Sequence, residues 1–154
     1  MNWQGAEQLV AEAVGGERVL DKASQLLDID VRGANGKTYS VKFQKAAAKY
    51  HNISFEMELG AEDGSTLLGN FARCAADYCA VVIPWDAGEE ILCWETRALK
   101  AFLADKQYPL KGLTFAAVAT NGDRKFKFAQ NLIVPIAHLR DIAAWAKVYP
   151  RSDA

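Results

Sequence analysis

One short run, Tyr78–Pro84 (YCAVVIP), is apolar along nearly its whole length and does most to limit the folds open to this chain. Successive side chains of a strand alternate between its two faces, so a continuously apolar strand must be covered on both. The run therefore predicts the central strand of a layered α/β structure. The chain has 154 residues, 51% of them hydrophobic, which suits one domain over residues 1–154 with a substantial core.

Three runs nearer the front alternate apolar with polar residues: Leu27–Arg32, Thr38–Gln44 and Ile53–Leu59. In each run the apolar set can enter a core while the polar set lies on the opposite face. A short loop containing Gly33 and Gly36 joins the first two runs and suits an antiparallel hairpin. We expect a three-strand antiparallel meander whose polar residues share one face of the sheet.

The other elements follow from helical spacing, caps and turn residues. Helices are predicted at Trp3–Val14, Arg97–Asp105 and Ile136–Val148, a short helix or turn at Arg18–Gln25, a short helix at Thr66–Ala76, a loop or helical turn at Lys45–His51, a strand at Ile91–Glu95, and a hairpin of Leu113–Ala119 and Lys125–Gln130 around Asn121-Gly122. The fold class is α/β of the α+β type, with a central mixed sheet flanked by helices.

Charge and cysteine usage narrow the function. A net charge of −1 and a pI near 6.1 give no global sign of a nucleic-acid binder, so such a role needs a local basic patch. The chain begins without a signal-peptide pattern and has no membrane-spanning stretch, so we expect a cytoplasmic protein. Its three cysteines form no CxxC pair; Cys79 and Cys93 lie in apolar runs and are interpreted as small buried hydrophobes.

The polar faces carry Asp30 on the first run and Ser40-Val41-Lys42 with Gln44 on the second. Together with the following strands, the stretch LLDIDVRGANGKTYSVKFQ resembles the PD-(D/E)XK nuclease superfamily, which has the restriction-endonuclease-like fold. In that family an aspartate near the start of one strand precedes an acidic-x-Lys triplet on the next. Asp30 and Lys42 match these positions, and Gln44 resembles the glutamine that several branches carry. Ser40 stands where the family has an acid, and small members of this kind are largely phage encoded.

The resemblance implies hydrolysis of DNA phosphodiester bonds, as an endo- or exodeoxyribonuclease that uses Mg²⁺ or Mn²⁺. Asp30 and Glu56 are the predicted metal ligands, with the carbonyl of Val41 as a third. Glu56 is predicted to replace the acid that is absent at Ser40, because side-chain alternation puts Glu56 on the same sheet face as Lys42. Lys42 is predicted to orient or deprotonate the attacking water and to offset charge at the phosphate. Gln44 is predicted to fix the water or a phosphate oxygen.

Several acids leave alternatives open. Asp28 is predicted to lie on the same strand face as Asp30. Three roles are open for it: a second metal ligand, a carboxylate that repels Asp30, or a cap near a helix end. Glu58 is the alternative to Glu56. Glu7 and Glu12 on the first helix are candidates for a further metal-binding glutamate, although acids on amphipathic helices normally face water. The whole charged face is equally typical of a solvated sheet surface.

Two basic segments are predicted to contact DNA: Lys45 and Lys49 after the second run, and Arg124, Lys125 and Lys127 in the last hairpin. The second segment also fits an ordinary half-buried strand.

The predicted partner is DNA, with a homodimer if both strands of a duplex are cut, and the predicted setting is a phage-infected bacterium. The alternative function is a catalytically inactive nuclease-like factor that binds DNA or a host protein, which Ser40 favours. A structural module with a solvated face is the third.

Overall fold

A computed structural model describes residues 1–61, 63–121 and 124–151, although the side chains of 113–121, 124 and 125 are outside that description. Within these residues, helices and strands follow one another in the order α1 (Trp3–Ala13), β1 (Glu17–Arg18), α2 (Lys22–Leu26), β2 (Val31–Arg32), β3 (Thr38–Phe43), α3 (Lys45–Tyr50), β4 (Asn52–Ala61), β5 (Thr66–Leu68), β6 (Tyr78–Trp85), β7 (Gly88–Glu95), α4 (Thr96–Lys106), β8 (Leu110–Asn121), β9 (Arg124–Pro135), α5 (Ile136–Arg140) and β10 (Trp145–Pro150). None of the described helices is long and apolar enough to cross a membrane.

The first sheet has the strand order β1-β2-β3-β6-β7-β10. β3 and β6 run parallel, with Val41 beside Ala80, and the other neighbours are antiparallel. The prediction of an α+β fold with a mixed sheet flanked by helices is therefore confirmed. The antiparallel pairing of the first two predicted strands is confirmed as well, because Val31 lies opposite Tyr39.

The predicted buried central strand is β6, and its two faces belong to different cores. On one face, Ala80 and Val82 pack in a cluster with Ala6 and Val10 of α1. On the other face, Val81 packs in a second cluster with residues of β4, β9, α4 and α5. Coverage on both sides explains why polar residues are missing from this run.

The predicted three-strand meander is wrong in its third strand. β4 pairs with β5 and β9 in a second sheet, ordered β5-β4-β9-β8, rather than with β3. The edge of β3 is occupied by β6, whose apolar run needs a central position. β9 offers β4 a long antiparallel partner instead, with Ile53 opposite Val134. The predicted hairpin of the last third is the β8–β9 pair, whose turn residue Gly122 lies outside the described residues.

Three predicted boundaries are also wrong. Leu27–Arg32 is a strand only at Val31–Arg32, because Asp21 caps α2 by accepting a hydrogen bond from Ser24 N at 2.9 Å and the helix runs up to the start of that segment. The predicted helix Thr66–Ala76 begins instead with β5. The last predicted helix stops after α5, and its second half forms β10, which pairs with the edge of β7 and so satisfies backbone groups that the edge would leave free.

Candidate functional site

A cavity of about 280 Å³, lined by polar and apolar residues, lies where the polar face of β3 meets the second sheet. Because side chains alternate along β3, Tyr39 and Val41 pack in the core under α1, whereas Ser40 and Lys42 lie on the opposite face and line the cavity. The prominent polar residues around the cavity are Asp28, Ser40, Lys42, Glu56, Asn70 and Asn131. The polar face of β3 is thus enclosed between two sheets.

A lysine–carboxylate pair forms one wall of this cavity. Lys42 Nζ lies 2.8 Å from Asp28 Oδ1, and the Ser40 hydroxyl donates to Asp28 Oδ2 at 3.0 Å. Burial alone lowers the pKa of Lys42, but the Asp28 charge and its hydrogen bond outweigh burial, so the pKa lies above its usual value. The contact with Asp28 therefore favours the positively charged form of Lys42.

Asp28 reaches both partners from an unusual backbone position. It has φ 60°, in the left-handed region, directly after α2 ends. Aspartate is among the non-glycine residues that visit this region most readily. Asp28, one of the open alternatives from the sequence, is thus the acid that the structure places against Lys42.

Asp30 lies at the β2–β3 edge and is not among the described residues that line the cavity. Its Oδ2 accepts the backbone N–H of Val41 at 2.8 Å, beyond the point where the β2–β3 ladder ends. Burial raises the pKa of Asp30, against the opposing effects of that hydrogen bond and of Lys42. Glu7 on α1 also has a raised pKa, mainly through burial and then the nearby Asp30 charge, and it pairs with Arg18 at 3.1 Å.

The raised pKa of Asp30 has a measurable consequence. The folded protein binds this proton more tightly than the unfolded chain, so the contribution of Asp30 to stability falls as pH rises from about 4 through the folded pKa. Asn keeps an oxygen for Val41 N–H but cannot titrate. We therefore expect Asp30→Asn to lose less unfolding free energy than the wild type between pH 4 and 7, measured by urea denaturation. The exposed Asp105→Asn serves as control, and parallel curves for wild type and Asp30→Asn contradict the expectation.

Glu56 lies on the opposite wall from β3, on β4. Its Oε1 accepts the backbone N–H of Asn70 at 3.0 Å. A register shift between Glu56 and Glu58 against β9 inserts an extra residue, which breaks the strict alternation of β4. Glu56 lines the cavity and Glu58 is exposed, although parity alone puts both on one face.

Asn131 is a site residue that the sequence analysis missed. It lies directly opposite Glu56 in the β4–β9 pair and is only 8% exposed. Its Oδ1 is buried without a hydrogen-bond partner among the described residues, and the residue borders the cavity. A lone asparagine in a strand gives no sequence signal; only the cross-strand register reveals it. A buried acceptor without a partner beside a cavity is a candidate contact for a ligand, an ion or water.

Gln44 joins the two sheets. Its Nε2 donates to the carbonyl of Ser54 at 2.7 Å, and its Oε1 accepts the backbone N–H of Ser54 at 3.0 Å. The side chain therefore bridges the end of β3 to β4, which belongs to the second sheet. Gln44 lines the cavity beside Lys42, and both polar atoms of its amide are engaged by Ser54.

The predicted DNA-contacting residues fall in two places. Lys45 and Lys49 are exposed on α3, which begins directly after Gln44 at the cavity. Lys49 Nζ lies 5.1 Å from the ring centroid of the exposed Tyr50. Lys127 is half-buried on β9. The side chains of Arg124 and Lys125 lie outside the described residues.

The donor set of the cavity suits a hard cation. No group of three or more His, Cys, Asp or Glu side chains converges in the part of the chain that the structure describes. The cavity instead combines the carboxylates of Asp28 and Glu56 with the free amide oxygen of Asn131. Oxygen ligands of these kinds are what Mg²⁺ prefers, with water and substrate completing its shell. These residues fit a magnesium ion.

The fold and site define an α+β protein with an acid–lysine cavity between two sheets. Neither a protein-family model nor a curated protein matches the chain, and its function is inferred from this cavity.

Proposed function

We propose that the protein is a metal-dependent deoxyribonuclease of the restriction-endonuclease-like type, with the cavity between β3 and β4 as its active site. The observation that carries the proposal is the position of Lys42, whose Nζ lies 2.8 Å from Asp28 Oδ1 in a cavity shared with Glu56 and Asn131. A fixed cation beside oxygen donors is what cleavage of a phosphodiester requires, because negative charge builds up on the phosphate oxygens.

The order of elements supports the proposal. A helix, α1, precedes the β2–β3 hairpin; Lys42 lies on the second strand of that hairpin; and a buried strand, β6, runs parallel beside it. The resemblance of the sequence to the PD-(D/E)XK superfamily implies this order. The acid beside the lysine differs, since Asp28 takes the place that sequence comparison gives to Asp30.

Each residue has a distinct part in the proposed reaction. Asp28, Glu56 and Asn131 would hold the metal ion, which would supply charge neutralisation and lower the pKa of water near the phosphate. Lys42 binds a non-bridging phosphate oxygen and stabilises the charge that develops there. Asp28 keeps Lys42 protonated and oriented, and the amide of Gln44 fixes the distance between the two walls.

Substrate approach is provided by α3. Lys45 and Lys49 present exposed positive charge next to the cavity, and Tyr50, 62% exposed, offers a ring on which a base can stack. These two lysines form the local basic patch that a protein with an overall charge of −1 needs in order to bind DNA.

The test uses the two glutamates of β4. We expect the purified protein to cleave linear, branched or single-stranded DNA with Mg²⁺ or Mn²⁺ and to stop when EDTA is added. Glu56→Gln should lower the cleavage rate by about 100-fold or more, in the range seen when one charge-stabilising group is lost, and should weaken Mn²⁺ binding measured by titration calorimetry. Glu58→Gln, a change of the same chemistry at an exposed position two residues away, should do neither. Equal losses in both variants, or cleavage that EDTA leaves unchanged, contradict the proposal.

A second candidate is a nuclease-like factor that binds DNA or a host protein without cutting. It is favoured by Ser40, whose hydroxyl donates to Asp28 at 3.0 Å where the family has a metal-binding acid. In that case we expect tight DNA binding by fluorescence anisotropy, unaffected by metal, with no cleavage of any substrate. Restoring the acid with Ser40→Asp then separates the two, since only a silenced nuclease site gains activity from it.

A further inference from the structure

Two cysteines that are separate in the sequence pattern meet beside the cavity. Cys74 Sγ lies 4.0 Å from Cys79 Sγ, and Cys79 Sγ lies 3.3 Å from the hydroxyl of Thr96. Both cysteines are buried. Cys79 is fixed in β6, whereas residues 74–77 belong to neither a helix nor a strand. One sulfur is therefore held rigidly and the other sits on a segment without ladder hydrogen bonds.

The two thiols differ in acidity. The hydrogen bond with Cys79 lowers the pKa of Cys74 to about 7, with help from the backbone N–H of Ala76 and against the effect of burial. The same contact and burial raise the pKa of Cys79. Since the thiolate is the reactive form, Cys74 is the nucleophile of the pair and Cys79 the thiol that follows.

Cys74 is only 6% exposed but borders open space. It lines a second, open cavity of about 540 Å³ together with the basic residues Lys37, Arg97 and Lys100. Lys100 Nζ donates to the carbonyl of Cys74 at 3.2 Å and so fixes the backbone of this cysteine beside the cavity.

We propose that Cys74 and Cys79 form a redox-active pair that hydrogen peroxide converts to a disulfide. The Cys74 thiolate attacks one peroxide oxygen, the O–O bond breaks, and with one proton taken up the products are a sulfenic acid and water. The Cys79 thiol then attacks the Cys74 sulfur; the S–O bond breaks, a second water leaves, and the S–S bond forms. Two electrons pass from the thiols to peroxide. This proposal does not depend on the proposed function.

The geometry requires little movement. The sulfur atoms must approach by about 2 Å to reach bonding distance, a shift that side-chain rotation must supply because Cys74 N and Ala75 N are hydrogen-bonded to Phe71 and Leu27. Because Cys79 also lines the candidate active site, the disulfide alters one wall of that cavity. The third cysteine, Cys93, has a pKa raised to about 12 by burial and packs in the other core, under α1.

The test is a peptide map of the native protein. After brief treatment with hydrogen peroxide, free thiols are alkylated in denaturant and the protein is digested with chymotrypsin, which cleaves after Phe71, Tyr78 and Trp85 and so separates Cys74 from Cys79. We expect peptides 72–78 and 79–85 to be recovered as one disulfide-linked species that dithiothreitol splits, while Cys93 is alkylated. Cys74 should be oxidised at least about tenfold faster than Cys93.

Three single variants decide between this pair and general oxidation. Cys93→Ser should give the same linked peptides as the wild type. Cys79→Ala should leave Cys74 as a sulfenic acid that dimedone traps, and Cys74→Ser should leave Cys79 reduced. The proposal is overturned if the linked peptides form only in unfolded protein, if Cys93 is oxidised as fast as Cys74, or if peroxide leaves all three wild-type thiols free to be alkylated.

Discussion

Lys42→Met is expected to lower the rate of DNA cleavage by about 100-fold or more, because it removes the one positive charge that the described cavity wall presents to a phosphate. Methionine keeps much of the length of the side chain and none of its charge. The change also leaves Asp28 without the partner that lies 2.8 Å away, so some loss of stability accompanies the loss of activity. Cleavage is measured with saturating Mg²⁺ at a temperature well below the unfolding midpoint of the variant.

A double variant separates catalysis from folding. Asp28→Asn combined with Lys42→Met removes the unpaired charge and should recover stability in urea denaturation, whereas cleavage should stay lost. Lys42→Arg keeps the charge but adds a planar, bulkier group, so we expect only partial activity. Lys106→Met, which removes an exposed lysine from α4, is the matched control and should retain most of the cleavage rate. Full activity in Lys42→Met refutes the assignment.

Trp94→Ala is expected to cost about 4 kcal/mol of unfolding free energy, within the range for removing a large buried aromatic side chain. Trp94 is 1% exposed and packs at the centre of the core between the sheets, edge-on to Phe55 of β4. Its Nε1 donates to the carbonyl of Leu139 at 2.9 Å. One side chain thus joins β7 of the first sheet, β4 of the second and α5. The loss is a large share of the ~5–15 kcal/mol that stabilises a typical protein of this kind.

Graded substitutions test this role by urea denaturation monitored by circular dichroism. Trp94→Phe keeps an aromatic ring and loses the hydrogen bond, so we expect a smaller loss of about 1–2 kcal/mol. Trp3→Ala removes a tryptophan that is 56% exposed and should change stability by about 0.5 kcal/mol or less. A loss in Trp94→Ala no greater than that of Trp3→Ala shows that the two sheets do not depend on this contact.

The elements that the sequence predicts correctly are those whose own residues carry a clear pattern. The apolar run at Tyr78–Pro84 predicted a strand covered on both faces, and β6 is that strand. The hairpin of β2 and β3 followed from turn residues, and α1 from its spacing and the glycines that end it. Each of these signals is local, arising from side-chain alternation, turn geometry or helix capping.

The candidate site is formed by contacts between different elements of the fold, which no local sequence pattern predicts. Alternation put Asp28 and Asp30 on one face of a strand, but β2 begins only at Val31 and Asp28 follows α2 with φ 60°, so the two carboxylates have different partners. Alternation also grouped Glu56 with Glu58, until the irregularity in β4 separated them. Asn131 entered the site only through its register opposite Glu56, a pairing between segments far apart in the chain.

By itself the sequence determined that Lys42 stands on the polar side of a strand whose other side is core, since alternation allows no other arrangement. Only the tertiary structure decided what that polar side faces. β4 pairs with β9 in the second sheet, and the side chain of Gln44 hydrogen-bonds to Ser54 between the two sheets. The charged face of β3 therefore forms one wall of the cavity. The physical reason is that water screens an exposed charge, whereas a half-buried charge between two sheets is screened less and is stabilised by a partner, which for Lys42 is Asp28.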